Sequence, residues 1–446
     1  MADQGKQQIT AAFAVLLLVV LGLGAVLLIR SPAEPTLART PEVRLQPPVE
    51  PVPLQPWDPS DEQPVTAERI DKALAMAADY LVRGCDERGR FTYCTNLDPS
   101  VEVKPAYNIV RHTGAVYALA LYARRHPNEP LLDALRRSAR FLREEGMGPV
   151  EGHDGLLTVW SRPEMEFSDR PLKAHLGGAG LGLAALVCVE RVAPGTTPLE
   201  ELRGLARFVL FMTEDDGRTF TEYIPSEGGR SGKRTVLYYP GEAALGLALL
   251  YGFDPSDEWL EGASRILGYL AKQREGQSRV DPDHWALLAT APLLQVYGVE
   301  LPVSRDVLVR HGAQICERLL SDRAAQLPTA VTYGAFFSNG CTCPTATRLE
   351  GLLAALTFLH GDEHAALRAR IALAGRDGIA FLLRAQISEG PAAGAIPGGI
   401  ARFPEGHRRH SAKLNAAITE VRIDYLQHAM SAMMTYTDTV LADETK

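Results

Sequence analysis

The sequence predicts an all-α protein in which about twelve helices close into a toroid. Apolar residues recur at spacings of three and four along segments that Gly, Pro and Asp separate. These segments alternate in kind. Amphipathic ones, such as LLDALRRSARFLREE at 131–145, take turns with almost wholly apolar ones, such as HLGGAGLGLAAL at 175–186. Amphipathic helices suit an outer ring, and apolar helices rich in small residues suit a buried inner ring.

The connections alternate as well. Links from outer to inner helices are long and contain β-like stretches such as GRFTYCTN and GLLTVWSR, whereas links from inner to outer helices are brief. The long links should therefore lie on one face as short β-hairpin loops, above the N-termini of the inner helices, where function concentrates. The predicted helices span 66–83, 107–125, 130–145, 172–191, 198–213, 240–252, 256–273, 282–297, 303–320, 344–360, 362–386 and 417–437.

The N-terminal region has a different character. Ala11 to Ile29 is an unbroken apolar run of about 19 residues, close to the roughly 20 that span a bilayer as a helix. A cleaved signal peptide is the competing interpretation, but its apolar core is usually only about 7–15 residues. We predict a single-pass protein of the bacterial inner membrane, with these parts: a tail at 1–8, a transmembrane anchor at 9–30, a Pro-rich linker at 31–65, the toroid at 66–441 and a C-terminal tail at 442–446.

Composition limits the partners and the compartment. Of 446 residues, 46% are apolar and 22% charged, which is a globular balance, and the net charge of -8 gives no electrostatic footprint for nucleic acid. Cys85 and Cys94 flank a predicted hairpin, so they could form a disulfide in an oxidising compartment or remain thiols. A disulfide between these two cysteines would suit a toroid that lies in the periplasm or outside the cell.

Polar residues gather at the start of each inner helix, where a core would not need them. Helix N-termini also offer free N–H groups and a positive dipole end, which favour anionic or hydroxyl-rich ligands. We expect the clusters to converge on one site. As substrate-binding residues we predict Tyr107, Asn108, Arg111, His112, His175, Tyr239, Trp285 and Arg348, and as catalytic acids or bases Glu242, Asp283, His284, Asp424 and His428.

Each candidate also has a structural interpretation. Glu242 opens an apolar helix, where it either caps the helix or, if buried, has a raised pKa that suits an acid. Asp424 and His428 are four residues apart on one helix face, so they form either an acid/base pair or a structural tie between the last and first inner helices. Any of the histidines could instead be a neutral core residue.

One inner helix carries further polar groups. Arg348 and Glu350 are two residues apart and cannot share a helix face, so we expect Arg348 to point inward and pair with an inner carboxylate. Cys341 and Cys343 precede this helix, and a Cys-x-Cys pair can begin a zinc site. A second ligand pair is not recognisable, so we predict neither a metal nor a cofactor.

The helix count and the alternation, over about residues 66–440, resemble the six-hairpin or (α/α)6 toroid superfamily, which includes glycosidases, polysaccharide lyases and the N-acylglucosamine 2-epimerase group. The resemblance implies a carbohydrate or cell-envelope glycan as partner and acid/base chemistry of hydrolase, lyase or epimerase type. In the 2-epimerase group, inner-helix histidines remove and return a proton at a sugar carbon beside the carbonyl, assisted by an arginine. Arg111, His284 and His428 lie on helices that match in order.

Two alternatives from other classes stay open on the sequence. The toroid could be a non-catalytic envelope module that binds a glycan or a peptide. It could also be a metal-dependent enzyme of the lanthionine-cyclase or prenyltransferase type, since cyclases also use α/α toroids, and Cys341 and Cys343 would then be ligands.

Overall fold

The computed structural model describes residues 50–444. The predicted transmembrane anchor at 9–30 and the first part of the predicted linker lie outside these residues. Among the described residues, no helix is long and apolar enough to cross a membrane.

Twelve long helices form the body of the described chain, and they correspond one to one with the predicted helices. Shorter helices occur at Pro163–Glu166, Ala412–Thr419 and Ala442–Glu444. The long helices are α1 (Ala67–Arg83), α2 (Ile109–Ala123), α3 (Glu129–Phe141), α4 (Leu176–Val192), α5 (Leu199–Phe211), α6 (Tyr239–Tyr251), α7 (Asp257–Arg274), α8 (His284–Leu294), α9 (Arg305–Ser321), α10 (Thr342–Ala355), α11 (Ala365–Ala385) and α12 (Ile423–Tyr436).

The even-numbered helices form a closed inner ring. Each packs on the next, from α2 through α4, α6, α8 and α10 to α12, and α12 packs on α2. The inner helices are buried almost all round, as in α4, where every residue from Leu176 to Val189 is buried. The odd-numbered helices bury one face only, as α1 does through Ile70, Leu74 and Leu81. The predicted all-α (α/α)6 toroid is thus confirmed for the described residues.

Small residues let the inner helices approach closely. A Cβ added to Gly180 on α4 would lie 2.4 Å from the Cα of Ala243 on α6, and one added to Gly246 would lie 2.4 Å from the carbonyl oxygen of Gly180. No side chain fits at these two positions. The glycine-rich run in the sequence is therefore a packing requirement of the α4–α6 contact.

Short strands occupy four of the six long links, as predicted, but the α3–α4 and α5–α6 links join through one sheet rather than forming separate hairpins. Strands β3 to β7 form an antiparallel five-stranded sheet in chain order, β2 pairs with β9, and β1 pairs with β8. The strands are β1 (Val52–Pro53), β2 (Cys94–Asn96), β3 (Met147–Val150), β4 (His153–Ser161), β5 (Lys173–His175), β6 (Glu222–Ile224), β7 (Gly229–Ser231), β8 (Ala401–Arg402) and β9 (Glu420–Arg422).

The segment 50–65, assigned to the linker by its proline content, packs on the toroid. Strand β1 pairs with β8, and the side-chain amide of Gln55 donates to the carbonyl of Gln386 at 2.8 Å. The guanidinium of Arg384 lies 5.3 Å from the ring centroid of Trp57. This corrects the predicted boundary at residue 65, because proline-rich chain without periodicity can still dock through its backbone and one aromatic ring.

This docked segment should contribute to stability. A chain that begins at residue 65 should lose roughly 1–3 kcal/mol of unfolding free energy relative to one that begins at residue 50, because it lacks the β1 pairing and the Gln55 and Trp57 contacts. Urea unfolding of the two truncated proteins measures the difference. Equal unfolding free energies of the two proteins would show that the contacts of this segment do not stabilise the toroid.

Candidate active site

A cavity of about 720 Å³ opens at the N-terminal ends of the inner helices, beneath the long links. All six inner helices, or the residues just before them, contribute to its wall. Most of the predicted site residues meet there: Asn108, Arg111, His175, Tyr239, Glu242, His284, Trp285, Arg348, Asp424 and His428. Residues outside the predicted catalytic and substrate-binding sets also line it, among them Tyr238, Arg422, Gln427 and the possible zinc ligand Cys343.

Tyr107 and His112, predicted to bind substrate, belong to the core instead. The Nε2 of His112 donates to the carbonyl of Ser138 at 3.0 Å, and the Tyr107 hydroxyl lies 2.8 Å from His112 Nδ1. The Tyr107 hydroxyl in turn accepts from the backbone N–H of Phe91 at 3.1 Å. Burial lowers the pKa of His112 to about 4, so its ring is neutral. His112 points outward to α3, which sequence position alone does not reveal.

Asp283, predicted to be catalytic, is also structural. Its Oδ1 caps α8 by accepting from the N–H of Ala286 at 3.1 Å, and its Oδ2 accepts from Arg274 at 2.7 Å. Arg274 also lies 3.2 Å from His311 Nε2. Asp283 is fully buried and does not line the cavity. It fixes the start of α8 and thereby the position of the next residue, His284.

Asp424 lines the cavity, but two arginines hold it. Arg422 donates to both of its oxygens, at 2.6 and 3.0 Å, and Arg111 Nε lies 3.0 Å from Oδ2. Burial alone would raise its pKa, yet these two guanidinium groups hold the pKa of Asp424 below its usual value. The carboxylate is therefore ionised and bridges α2 to α12. Asp424 has no hydrogen bond to His428, so neither predicted form of that pair is present, and Asp424 ties α12 to α2 through Arg111 instead.

The hydrogen-bond partner of His428 is Glu350, a residue that the sequence predicted to point away from the site. Glu350 Oε2 lies 2.6 Å from His428 Nδ1 and 3.9 Å from His284 Nε2. Burial would lower the pKa of His428, but the Glu350 carboxylate raises it above its ordinary value. Since Nδ1 makes this hydrogen bond, Nε2 is the nitrogen of His428 that is left for a ligand.

The pKa of His284 is shifted in the opposite direction from that of His428. Its side chain is almost fully buried, and its Nε2 has no hydrogen-bond partner among the described residues. Burial, together with the charges of His428 and Arg348, lowers the pKa of His284 well below its ordinary value. The two rings lie with centroids 5.7 Å apart. One site thus holds two imidazoles whose pKa values are shifted in opposite directions.

His284, Glu350 and His428 could together bind a metal ion, because their possible ligand atoms lie within 4.8 Å of one another. Two ligands of a tetrahedral zinc ion at about 2.0–2.1 Å would be about 3.3 Å apart. The 2.6 Å between Glu350 and His428 is instead the length of a charge-assisted hydrogen bond. In this arrangement Glu350 and His428 form a hydrogen-bonded pair, with His284 next to it.

Glu242 supplies a third titratable group. Its Oε2 is buried, has no hydrogen-bond partner among the described residues and lines the cavity. Gly177 makes room for it, since a Cβ added there would lie 1.9 Å from that oxygen. Burial raises the pKa of Glu242 to about 8. Glu242 is thus a protonated acid at neutral pH, as the sequence predicted for a buried position.

The raised pKa of Glu242 has a consequence for stability. Between about pH 4.5 and 8 the folded state holds a proton that the unfolded state has released, so the free energy of unfolding falls as pH rises across this window. Glu242→Gln removes this dependence. The melting temperature of the variant minus that of the wild type should therefore be larger at pH 9 than at pH 5. A difference that does not change with pH would contradict the burial of an acid here.

The remaining predicted residues take defined positions. His175 Nδ1 is buried without a hydrogen bond, 3.4 Å from Glu222 Oε1, and burial lowers the pKa of His175 to about 4. Asn108 caps α2 by accepting from the N–H of Arg111 at 3.0 Å. Nη2 of Arg348 lies 3.6 Å from Oδ2 of Asp322, a residue that follows the outer helix α9. The prediction that Arg348 pairs with a carboxylate of an inner helix is therefore wrong.

The structure has no disulfide between cysteines of the described residues, which leaves the predicted alternative of free thiols. Cys85 and Cys94 are free thiols, as are Cys341 and Cys343. Burial raises the pKa of both Cys341 and Cys343, which favours their protonated form. Neither belongs to a three-ligand group of the described residues. Both line the cavity as small polar wall residues.

No protein-family model matches the sequence, and no curated protein matches it. Solved structures do match. A cellobiose 2-epimerase from Bacillus thermoamylovorans aligns with a TM-score of 0.57 at 12% identity, over 82% of this chain and 98% of its own. A D-mannose isomerase aligns at 0.55 and 10%, over 84% and 98%. The α-1,6-mannanase GH76A of Salegentibacter aligns at 0.53 and 12%, over 83% and 99%. These similarities show the toroid fold that the sequence pattern predicted.

Proposed function

We propose that this protein is a carbohydrate-active enzyme of the sugar epimerase or isomerase type, which moves a proton at a sugar carbon beside a carbonyl group. The observation that carries this proposal is the pair of cavity histidines with oppositely shifted pKa values, His284 lowered and His428 raised. Two titratable groups that their surroundings push apart define a base and an acid in one site. The similarity to a cellobiose 2-epimerase and a D-mannose isomerase supports the same reaction class.

The chemistry follows from the protonation states. Neutral His284 takes the proton from the carbon beside the carbonyl, and the electron pair of the broken C–H bond moves onto the carbonyl oxygen. The protonated carboxyl of Glu242 donates a hydrogen bond to that oxygen. The His428 imidazolium then returns a proton. Return to the opposite face of the same carbon, with the electron pair moving back from the oxygen, inverts that carbon. Interconversion of aldose and ketose requires two further proton transfers: Glu242 gives its proton to the carbonyl oxygen and takes one from the adjacent hydroxyl, while His428 protonates the former carbonyl carbon.

Glycoside hydrolysis is the second candidate, because Glu242 is a protonated acid and Asp424 an ionised carboxylate. Asp424 is poorly placed to activate water, since Arg111 and Arg422 occupy its oxygens. A variant of the mannanase with two adjacent aspartates replaced is described as inactive. The cavity of this chain is lined by one aspartate only, among the described residues. The histidine pair is therefore the better supported machinery.

Incubation with sugars in D₂O tests the proposal. Proton NMR should show loss of the C2 proton signal of D-glucose, D-mannose or the reducing unit of cellobiose, or of a C1 proton signal of D-fructose, because the returned proton comes from a solvent-exchanged imidazole. Cleavage of a glycosidic bond without exchange at C2 would support the hydrolase instead. Neither exchange nor cleavage, with sugars bound, would favour a binding module.

The proposed location is the outer face of a bacterial inner membrane, with the toroid tethered by the apolar run at 11–29 and the Pro-rich stretch after it. The full-length chain should remain with membranes after a high-salt wash. Deletion of residues 1–49 should release a folded, soluble toroid. A deleted form that still pellets with membranes would require a second contact surface.

A further inference from the structure

One wall of the cavity carries a cation whose charge is poorly compensated. The side chain of Arg348 lines the cavity and is 12% exposed. Its Nη1 donates to the carbonyl of Pro344 at 3.0 Å, while its Nε is buried and has no hydrogen-bond partner among the described residues. The guanidinium carbon lies 4.5 Å from the ring centroid of Phe337, which also lines the cavity. The aromatic ring holds the group in place without neutralising it.

The only nearby carboxylate on this wall, among the described residues, is shared. Asp322 Oδ2 lies 3.6 Å from Arg348 Nη2, beyond a good hydrogen bond. Asp322 is bound more closely by Arg318, which lies four residues before it at the end of α9. Two guanidinium groups therefore face one carboxylate, which leaves an excess of one positive charge. Burial lowers the pKa of Arg348, as expected for a cation with too few partners.

Elsewhere in the cavity the charges balance. Arg111 and Arg422 both form ion pairs with Asp424, and Arg422 forms a second one with Glu420 at 3.0 Å, so two cations face two carboxylates. A positive charge on His428 is matched by Glu350. Glu242, with its pKa of about 8, His175 and His284 are uncharged at neutral pH. The excess charge is thus local to Arg348, and its field reaches His284, the base that the proposed function places next to the reacting carbon.

We propose that Arg348 binds an anionic substituent of the sugar, so that the enzyme prefers an acidic sugar, carrying a carboxylate or a phosphate, over its neutral counterpart. This inference rests on the proposed function. An anion would satisfy the unpartnered Nε and cancel the excess charge, and guanidinium groups recognise carboxylates and phosphates through paired hydrogen bonds. Arg348 is then a specificity-determining residue, separate from the groups that move the proton.

Isothermal titration calorimetry with D-mannose, D-mannuronate and D-mannose 6-phosphate, and with the matching D-glucose series, tests this. At least one acidic sugar should bind at least about tenfold more tightly than its neutral counterpart. Arg348→Gln should abolish that preference, so that acidic and neutral sugars bind with similar affinities, and Arg348→Lys should retain part of it. The carboxylate and phosphate arms identify the anion. Asp322→Asn should strengthen binding of the acidic sugar.

Arg384→Gln is the matched control, because Arg384 is equally buried but lies against Trp57, away from the cavity. It should keep the preference for the acidic sugar. Equal binding of neutral and acidic sugars by the wild type would overturn the inference and leave the proposed function standing. An Arg348→Gln variant that loses turnover of neutral sugars in step with acidic ones would also overturn it, since Arg348 would then serve the reaction itself. Failure of every sugar to bind would overturn both proposals.

Discussion

Replacing either cavity histidine with asparagine should lower kcat by about 10²–10⁴-fold, because each variant lacks one of the two groups that transfer the proton. Asn matches part of the imidazole in size and polarity, so the cavity wall keeps its shape. Both side chains border the cavity. We therefore expect His284→Asn to melt within a few degrees of the wild type, whereas His428→Asn, which leaves the buried Glu350 without its hydrogen-bond partner, should melt lower.

His112→Asn is the contrasting variant. Its ring contacts Tyr107 and the carbonyl of Ser138 inside the core, so the change should destabilise the protein, while the folded fraction keeps its kcat. Activity at C2, followed by solvent exchange, together with thermal melting, separates the two outcomes. Strong destabilisation by His284→Asn or His428→Asn, with unchanged kcat, would identify those side chains as ties between inner helices and would remove the main support for the enzyme.

Arg274→Met should lower the unfolding free energy by about 3–5 kcal/mol, because it leaves Asp283 buried without its cation. The pair is buried on both sides, with side chains 8% and 0% exposed, and the distance is 2.7 Å. Met fills much of the volume of the arginine stem but cannot satisfy the carboxylate. Since Asp283 also caps α8, the start of that helix should loosen first.

The control for this change is Arg203→Met, which breaks the ion pair with Asp254 at 2.9 Å. That pair is more exposed, with side chains 34% and 17% accessible, so its loss should cost only about 0–1 kcal/mol. Urea unfolding of both variants gives the comparison. Equal losses would mean that the Arg274–Asp283 pair is not as buried as the structure shows.

The alternation of helix types was enough to predict the toroid, because the fraction of a helix surface that is buried determines how many of its residues are apolar. A helix surrounded by others, such as α4, has no polar face, while α1 shows one. The helix starts likewise predicted that polar groups converge above the inner ring. The strand pairing in the long links and the docking of residues 50–65 were not predictable, since both rest mainly on backbone hydrogen bonds between distant segments.

Individual side chains were harder to predict than the site. Arg348 and Glu350 point in different directions, as their spacing requires, but a helix in a closed ring has polar partners on two sides. Arg348 reaches the cavity wall, and Glu350 reaches His428 on the neighbouring inner helix. In the same way His112 and Asp283 begin inner helices yet face the outer ring, because the rotation of each helix about its axis is set by packing and not by the position of its first residue.

The proposed function depends most on the protonation states of the two cavity histidines, and ¹⁵N NMR of histidine-labelled protein across a pH titration measures them directly. His284→Asn and His428→Asn assign the signals. We expect His428 to titrate above about 6.5, the ordinary value, with its proton retained on Nδ1, and His284 to stay neutral well below it. Two histidines that titrate together near the ordinary value, or in the reverse order, would contradict the assignment of acid and base.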